Sequence, residues 1–136
     1  MADTVVLVGA LDTKGADFAF VKELIERAGV ATLVVDFGVL GAPAFRADVT
    51  RAEVCAAGGG DFAHLASGGH KDAAMATMAR GLAAVVSRLH GDGRLDGIIG
   101  MGGSGGTSLA TTAMRRDWRR SGCPKVLRVH WWRAAT

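Results

Sequence analysis

Short apolar runs alternate with stripes of helical period along this chain, in the order that builds parallel βαβ units. Residues 4–10 (TVVLVGA) form a β-branched run that closes on small residues, which predicts a buried parallel strand feeding a loop. In residues 16–29, Phe18, Val21, Leu24, Ile25 and Ala28 recur at helical spacing, while Lys22, Glu23, Glu26 and Arg27 take the opposite face and Gly29 supplies a stop. Residues 30–38 (VATLVVDFG) predict a second buried strand ending at Asp36. Together these pieces make one βαβ unit, whose crossover is expected to be right-handed.

Beyond it, residues 38–48 (GVLGAPAFRAD) carry Gly and Pro with no steady period, which predicts a long loop past the carboxyl end of the second strand. Thr50 and Glu53 have capping-box spacing and predict a short helix through Ala57; Asp61 can cap a further short turn. From residue 71 to 90, Met75, Met78, Leu82, Val85, Val86 and Leu89 draw one apolar stripe along a long helix, and methionines so spaced read as core filler rather than ligands. Residues 95–101 (LDGIIGM) predict a third buried strand. The expected architecture is an α/β, Rossmann-like or flavodoxin-like three-layer fold with parallel strand order 2-1-3 and a fourth strand near residues 125–129. The sheet is expected to be incomplete, the N-terminal portion of a longer domain.

The third strand runs into Gly102, Gly103, Ser104, Gly105, Gly106 and Thr107, with a helix expected from Ser108. Strand, glycine loop and helix start together present free amides and the positive end of a helix dipole, an arrangement that favours an anion and usually phosphate. Glycines allow close approach of the backbone, and Ser104, Thr107 and Ser108 add hydroxyl donors. The segment is neither a Walker A loop, since GK[ST] is missing, nor a GxGxxG after the first strand, so no particular nucleotide follows from it. A flexible strand-to-helix turn is the plain alternative.

A second candidate follows the first strand, where Asp12, Thr13 and Lys14 would face the glycine loop across one crevice. Lys14 would be the cation for a phosphate and Thr13 a donor. Asp12 would pair with Lys14 or hold phosphate-bound Mg²⁺. Asp36, at the end of the second strand, could accept hydrogen bonds from ribose hydroxyls. For both groups the alternatives are a solvated turn and an ordinary loop carboxylate.

Composition removes several classes. The chain has 136 residues, which supports one domain, and 49% hydrophobic with 21% charged residues excludes a disordered segment. Cys55 and Cys123 lie far apart with no CxxC or Cys/His cluster, so neither structural zinc nor a disulfide framework is indicated, and a reducing, cytoplasmic setting is expected. No leader or long apolar span suggests a membrane. His64, His70, His90 and His130 lack metal-binding or catalytic spacing, and GGSGG has no assignable Asp/His pair, so no acid, base or nucleophile set is assigned.

Net charge of +3 conceals an asymmetry, because the last 22 residues hold seven Lys and Arg against one Asp, together with Trp118, Trp131 and Trp132. This divides the chain into residues 1–114, the nucleotide-binding part, and residues 115–136, an atypical basic tail. Arginines for phosphates and tryptophans for base stacking would make that tail a nucleic-acid binder. A frameshifted or truncated gene product, which in a GC-rich gene also yields Arg and Trp, is the simpler expectation, and nucleic acid is disfavoured as a partner.

Three segments in order, VLVGALDTKGADFAFVKELI, VVDFGVLGAP and LDGIIGMGGSGGTSLAT, resemble the N-terminal part of the Tm-one-like ATP-binding domain family over residues 5–114. That family includes the N-terminal region of a plant tobamovirus-resistance protein and many bacterial and fungal proteins. The resemblance implies ATP as cofactor and, combined with the loop argument, places ATP contacts on Leu11 to Gly15 and on Gly102 to Thr107; Mg²⁺ would accompany ATP only through the role open to Asp12. It also implies that plant members block viral replication by binding a viral replication protein, and that many members carry a TIM-barrel-like second domain, none of which is present here. The pattern departs after Met114, where RRDWRRSGC and RVHWWRAAT do not fit. ATP binding is therefore the expected function. The alternative is an interaction module that binds a protein or nucleic acid through the tail or an exposed sheet edge, and self-association through such an edge is expected of an incomplete sheet.

Overall fold

The structure, a computed structural model, describes residues 3–67, 69, 71–102, 104–121 and 127–129. Strand β1 (Thr4–Gly9) leads into helix α1 (Leu11–Arg27) and strand β2 (Ala31–Asp36). Helices α2 (Arg51–Ala57), α3 (Phe62–Ala66) and α4 (Lys71–Gly91) follow, then strand β3 (Gly97–Gly100), helix α5 (Ser104–Ser121) and strand β4 (Leu127–Val129). The strands form one parallel sheet in the order β2-β1-β3-β4. The expected order 2-1-3 and α/β class stand, and the described part of the fourth strand is residues 127–129.

Alternation along each strand divides the core into two layers, because successive side chains leave opposite faces of a strand. Val6, Val8, Leu33, Val35 and Ile98 face α2, α4 and α5, while Leu7 and Val34 face α1 through Leu11 and Phe18. Helices thus cover both faces of the sheet, as right-handed crossovers running in opposite directions from β1 and β3 require. The apolar stripe of α4 is core from Met78 to Leu89, as its spacing indicated. Helices α2 and α4 come into backbone contact, since a Cβ added at Gly81 would lie 1.8 Å from the Val54 carbonyl oxygen.

Local signals placed α2 correctly: Thr50 accepts from the Glu53 amide, and the Glu53 carboxylate accepts from the Thr50 amide. They misplaced two helix starts. Helix α1 begins at Leu11, one residue after β1, with a kink at Lys14 (φ −125°, ψ 19°), so residues 11–15, expected as loop, are helix. Ala10 at its N-cap offers no side-chain bond; instead the Leu11 amide donates to Asp36 Oδ1 at 3.1 Å, a cap supplied by the next strand. Gly15, which looked like loop composition, sits inside this helix because a Cβ there would lie 2.3 Å from the Ala44 methyl. Helix α5 likewise begins at Ser104 rather than Ser108, and it passes Met114 without a break.

Candidate functional site

The sheet reverses its winding between β1 and β3: the connection from β1 runs outward to β2, and that from β3 runs outward to β4. Ligands of open parallel α/β sheets lie at such a point, beyond the carboxyl ends of the strands. A cleft of about 190 Å³ occupies this position. It is bounded by the first turn of α1 at Asp12, Thr13 and Lys14, by the segment after β2 at Phe37 to Leu40, and by Met101, Gly102, Gly106 and Leu109 around the start of α5, with Met75 of α4 closing one side.

Both candidate segments therefore meet in one cleft, and each supplies a helix N-terminus. Helical geometry leaves the amides of a first turn without intrahelical acceptors, which favours negative charge at the starts of α1 and α5; at α1 the Asp36 carboxylate already takes the Leu11 amide. Lys14 is half-buried at the kink of α1, and among the described residues no carboxylate pairs with it. Gly106 brings its backbone to the cleft wall, where a Cβ would come no closer than 3.7 Å to Phe37. Thr107 is not on the lining, and its hydroxyl donates to the Gly102 carbonyl at 3.2 Å, which spends the one proton expected for an anion. Gly103 and the side chain of Ser104 lie outside the described residues, and of Gly105 only its place in α5 is described; His70, Cys123, His130, Trp131 and Trp132 also lie outside them.

The two carboxylates act differently from expectation. Asp36 does end β2, but its side chain is 2% exposed and fully engaged: Oδ1 accepts from the Leu11 and Gly38 amides, and Oδ2 from Arg51 Nε at 2.8 Å. A ribose hydroxyl has no access to it, and its work is to cap α1 and hold the segment after β2. Asp12 Oδ2 accepts from the amides of Leu40 and Gly41 at 2.8 and 3.1 Å and lies 3.5 Å from Arg51 Nη1, so its charged partner is Arg51 rather than Lys14. Desolvation this complete needs such compensation, because an isolated buried carboxylate is costly.

Arg51 is the residue that sequence reasoning missed. Its side chain, 10% exposed, also donates from Nη1 to the Gly41 carbonyl, so one guanidinium joins α2, β2, α1 and the intervening loop. A signal was present: a cation in the first turn of a helix opposes the helix dipole, and a residue placed there against that preference has work elsewhere. Asp12 Oδ1 and Arg51 Nη2 are buried without hydrogen-bond partners among the described residues, and both approach within 2.8 Å of where a Gly38 Cβ would stand. Among the described residues no three His, Cys, Asp or Glu side chains gather as a metal site. Nor, among them, is any helix long and apolar enough to cross a membrane.

Fold and cleft together define a doubly wound parallel α/β domain with its open cleft at a topological switch point. Over residues 3–128 the chain matches the N-terminal domain of the uncharacterised protein family UPF0261, and it belongs to that family. It is 41% identical over 127 residues to a UPF0261 protein of Clostridium tetani, covering 93% of this chain and 31% of the relative. Similarity to UPF0261 proteins of Brucella suis (36% over 106 residues; 78% of this chain, 25% of the relative) and Rhizobium meliloti (35% over 121 residues; 89% and 29%) is of the same kind. The chain thus spans about a third or less of the length of these relatives.

This membership corrects the resemblance to the Tm-one-like ATP-binding family: the matching family model and relatives are those of UPF0261. The expectations that rested on that resemblance, ATP as the named cofactor and a viral replication protein as partner, lose that support. The family match also runs past the compositional change after Met114, to residue 128.

Proposed function

We propose that the cleft binds the phosphate-bearing end of a small ligand, with nucleotides such as ATP among the candidates. The observation that carries this is the convergence of Lys14 with the first turns of α1 and α5 on one cleft at the β1/β3 switch point. An ammonium with no carboxylate partner among the described residues, together with the first-turn amides of α5 and those of α1 beyond the capped Leu11, would compensate an anion in a sheltered cleft. Asp12, tied to Leu40, Gly41 and Arg51, braces the adjoining loop. A volume of about 190 Å³ is below the roughly 300 Å³ at which pockets begin to enclose whole drug-sized ligands, so these residues would hold the charged end of a nucleotide rather than all of it.

Calorimetric titration with inorganic phosphate and with ATP tests this on the wild-type chain, Lys14→Ala and Gly106→Asp. The aspartate variant separates binding from folding, since a carboxylate in the first turn of α5 favours the helix while repelling an anion in the cleft. Binding by the wild type that weakens by about tenfold or more in both variants is expected, a loss of the size a charge-assisted contact carries. Equal signals from all three proteins would remove the proposal.

A protein-binding role is the second reading, favoured by Phe20 and Leu24. These residues lie four apart on α1 and are 62% and 47% exposed, an unusual pair of large apolar side chains in water. Light scattering of Phe20→Ser/Leu24→Ser against wild type would show whether they drive association.

A further inference from the structure

The wall of the cleft says more about the ligand than its cationic end does. Apart from Asp12, Thr13 and Lys14, its side chains are apolar: Phe37, Met101 and Leu109 form a buried floor, and Val39, Leu40 and Met75 stand around it. Leu40 is 83% exposed and is held at the rim by its own amide, which donates to Asp12 Oδ2. A leucine fixed in water at the mouth of an apolar cleft gains by covering something apolar. A bare phosphate would leave this whole surface unused, and a triphosphate would bring several charges against it, where a desolvated charge without a partner is unfavourable.

Size narrows the choice. An apolar protein cavity of about 150 Å³ accepts a benzene ring, and this cleft, at about 190 Å³, is only slightly larger. The polar end and the apolar floor are also contiguous, because Gly102 and Gly106 share the lining with Met101 and Leu109. Resting on the phosphate-binding proposal above, we infer that the preferred ligand is a compact organic monophosphate. Its single phosphate meets Lys14 and the amides of α1 and α5, and its body is one ring-sized apolar group seated on Phe37, Met101 and Leu109 under Leu40. Adenosine phosphates, which separate base from phosphate by a ribose, would use only the charged end.

Titration of the full chain with phenyl phosphate, inorganic phosphate and ATP tests this, followed by heteronuclear NMR and calorimetry. Phenyl phosphate is expected to bind about tenfold more tightly than inorganic phosphate, the gain from withdrawing roughly 60 Å² of ring surface from water, and more tightly than ATP. Met75→Gln, which keeps the length of the side chain and makes its end polar, is expected to narrow the ratio between phenyl phosphate and inorganic phosphate. Inorganic phosphate binding that depends on Lys14, with phenyl phosphate no tighter, overturns the ligand class and leaves the anion site standing. No binding of any phosphate-bearing probe overturns both. A ratio unchanged by Met75→Gln counts against the seat assigned to the ring.

Discussion

Arg51 Nε donates to Asp36 Oδ2 at 2.8 Å with both side chains withdrawn from water, and this contact organises the edge of the cleft. Asp36 caps α1 through the Leu11 amide, and Arg51 reaches past it toward Asp12 and the Gly41 carbonyl. Removing the guanidinium would leave two carboxylates buried together without a counter-charge. Arg51→Met, which retains much of the apolar stem, is expected to cost about 3–5 kcal/mol, the range for breaking one side of a buried ion pair. Urea denaturation measures it. Arg51→Lys should recover little, because a single ammonium cannot reproduce the fork that serves Asp36 and Gly41 at once.

Asp12 should act on the loop more than on global stability. Its Oδ2 is the acceptor for the Leu40 and Gly41 amides. In Asp12→Ala those two amides lose their acceptor, and their hydrogen exchange should accelerate by about tenfold, the protection one charge-assisted bond supplies. The amides of β1 should exchange as in wild type. Unchanged exchange at Leu40 and Gly41 would show that the loop is held by something else.

Gly81 and Gly91 lie in the same helix and should respond oppositely. A methyl at Gly81 meets the backbone of α2 at Val54, which cannot step aside without carrying Arg51 with it, so Gly81→Ala is expected to destabilise by about 1–3 kcal/mol or more. At Gly91 nothing lies within 4 Å of the added atom, and Gly91→Ala should be neutral or slightly stabilising through the unfolded chain. Thermal unfolding of the pair distinguishes close backbone packing from simple helix propensity.

Cys55 links stability to alkaline pH. Its thiol is buried in the core, and burial, with Asp61 nearby as the smaller cause, pushes its pKa up. The folded chain therefore keeps the proton to higher pH than the unfolded chain does. The contribution is complete below the ordinary thiol value of about 8.5 and is lost as pH rises beyond it through the folded value. Cys55→Ala should be less stable at neutral pH, from lost packing, yet decline less steeply above that point. An equally steep alkaline decline in the variant would remove the thiol as its cause.

Legibility of the site was uneven for identifiable reasons. Lys14 and Gly106 were recognisable because a cation after a first strand and glycines after a third have a local chemistry that any parallel sheet brings to the same end. Asp36 was placed correctly and given the wrong partner: strand-end position is local, but the arginine that occupies it comes from 15 residues further on. Met75 read as core filler along with the rest of its stripe, and periodicity has no way to tell the turn of α4 that meets the sheet from the one that reaches the cleft.

By itself, the sequence determined the element order, the two-faced burial of each strand and the capping box of α2, because period, propensity and capping are settled within a few residues. It also determined the parallel order of the first three strands, since crossovers of fixed hand leave few other arrangements. Tertiary structure decided where α1 begins, why Gly15 lies inside it, and that Asp12, Asp36 and Arg51 close around one another beside the cleft. Those outcomes depend on a cap supplied by the following strand, on a methyl at Ala44 and on a guanidinium shared across the fold. Interactions between segments so far apart in the chain have energies set by distance and desolvation, quantities that exist only once the sheet has brought the segments together.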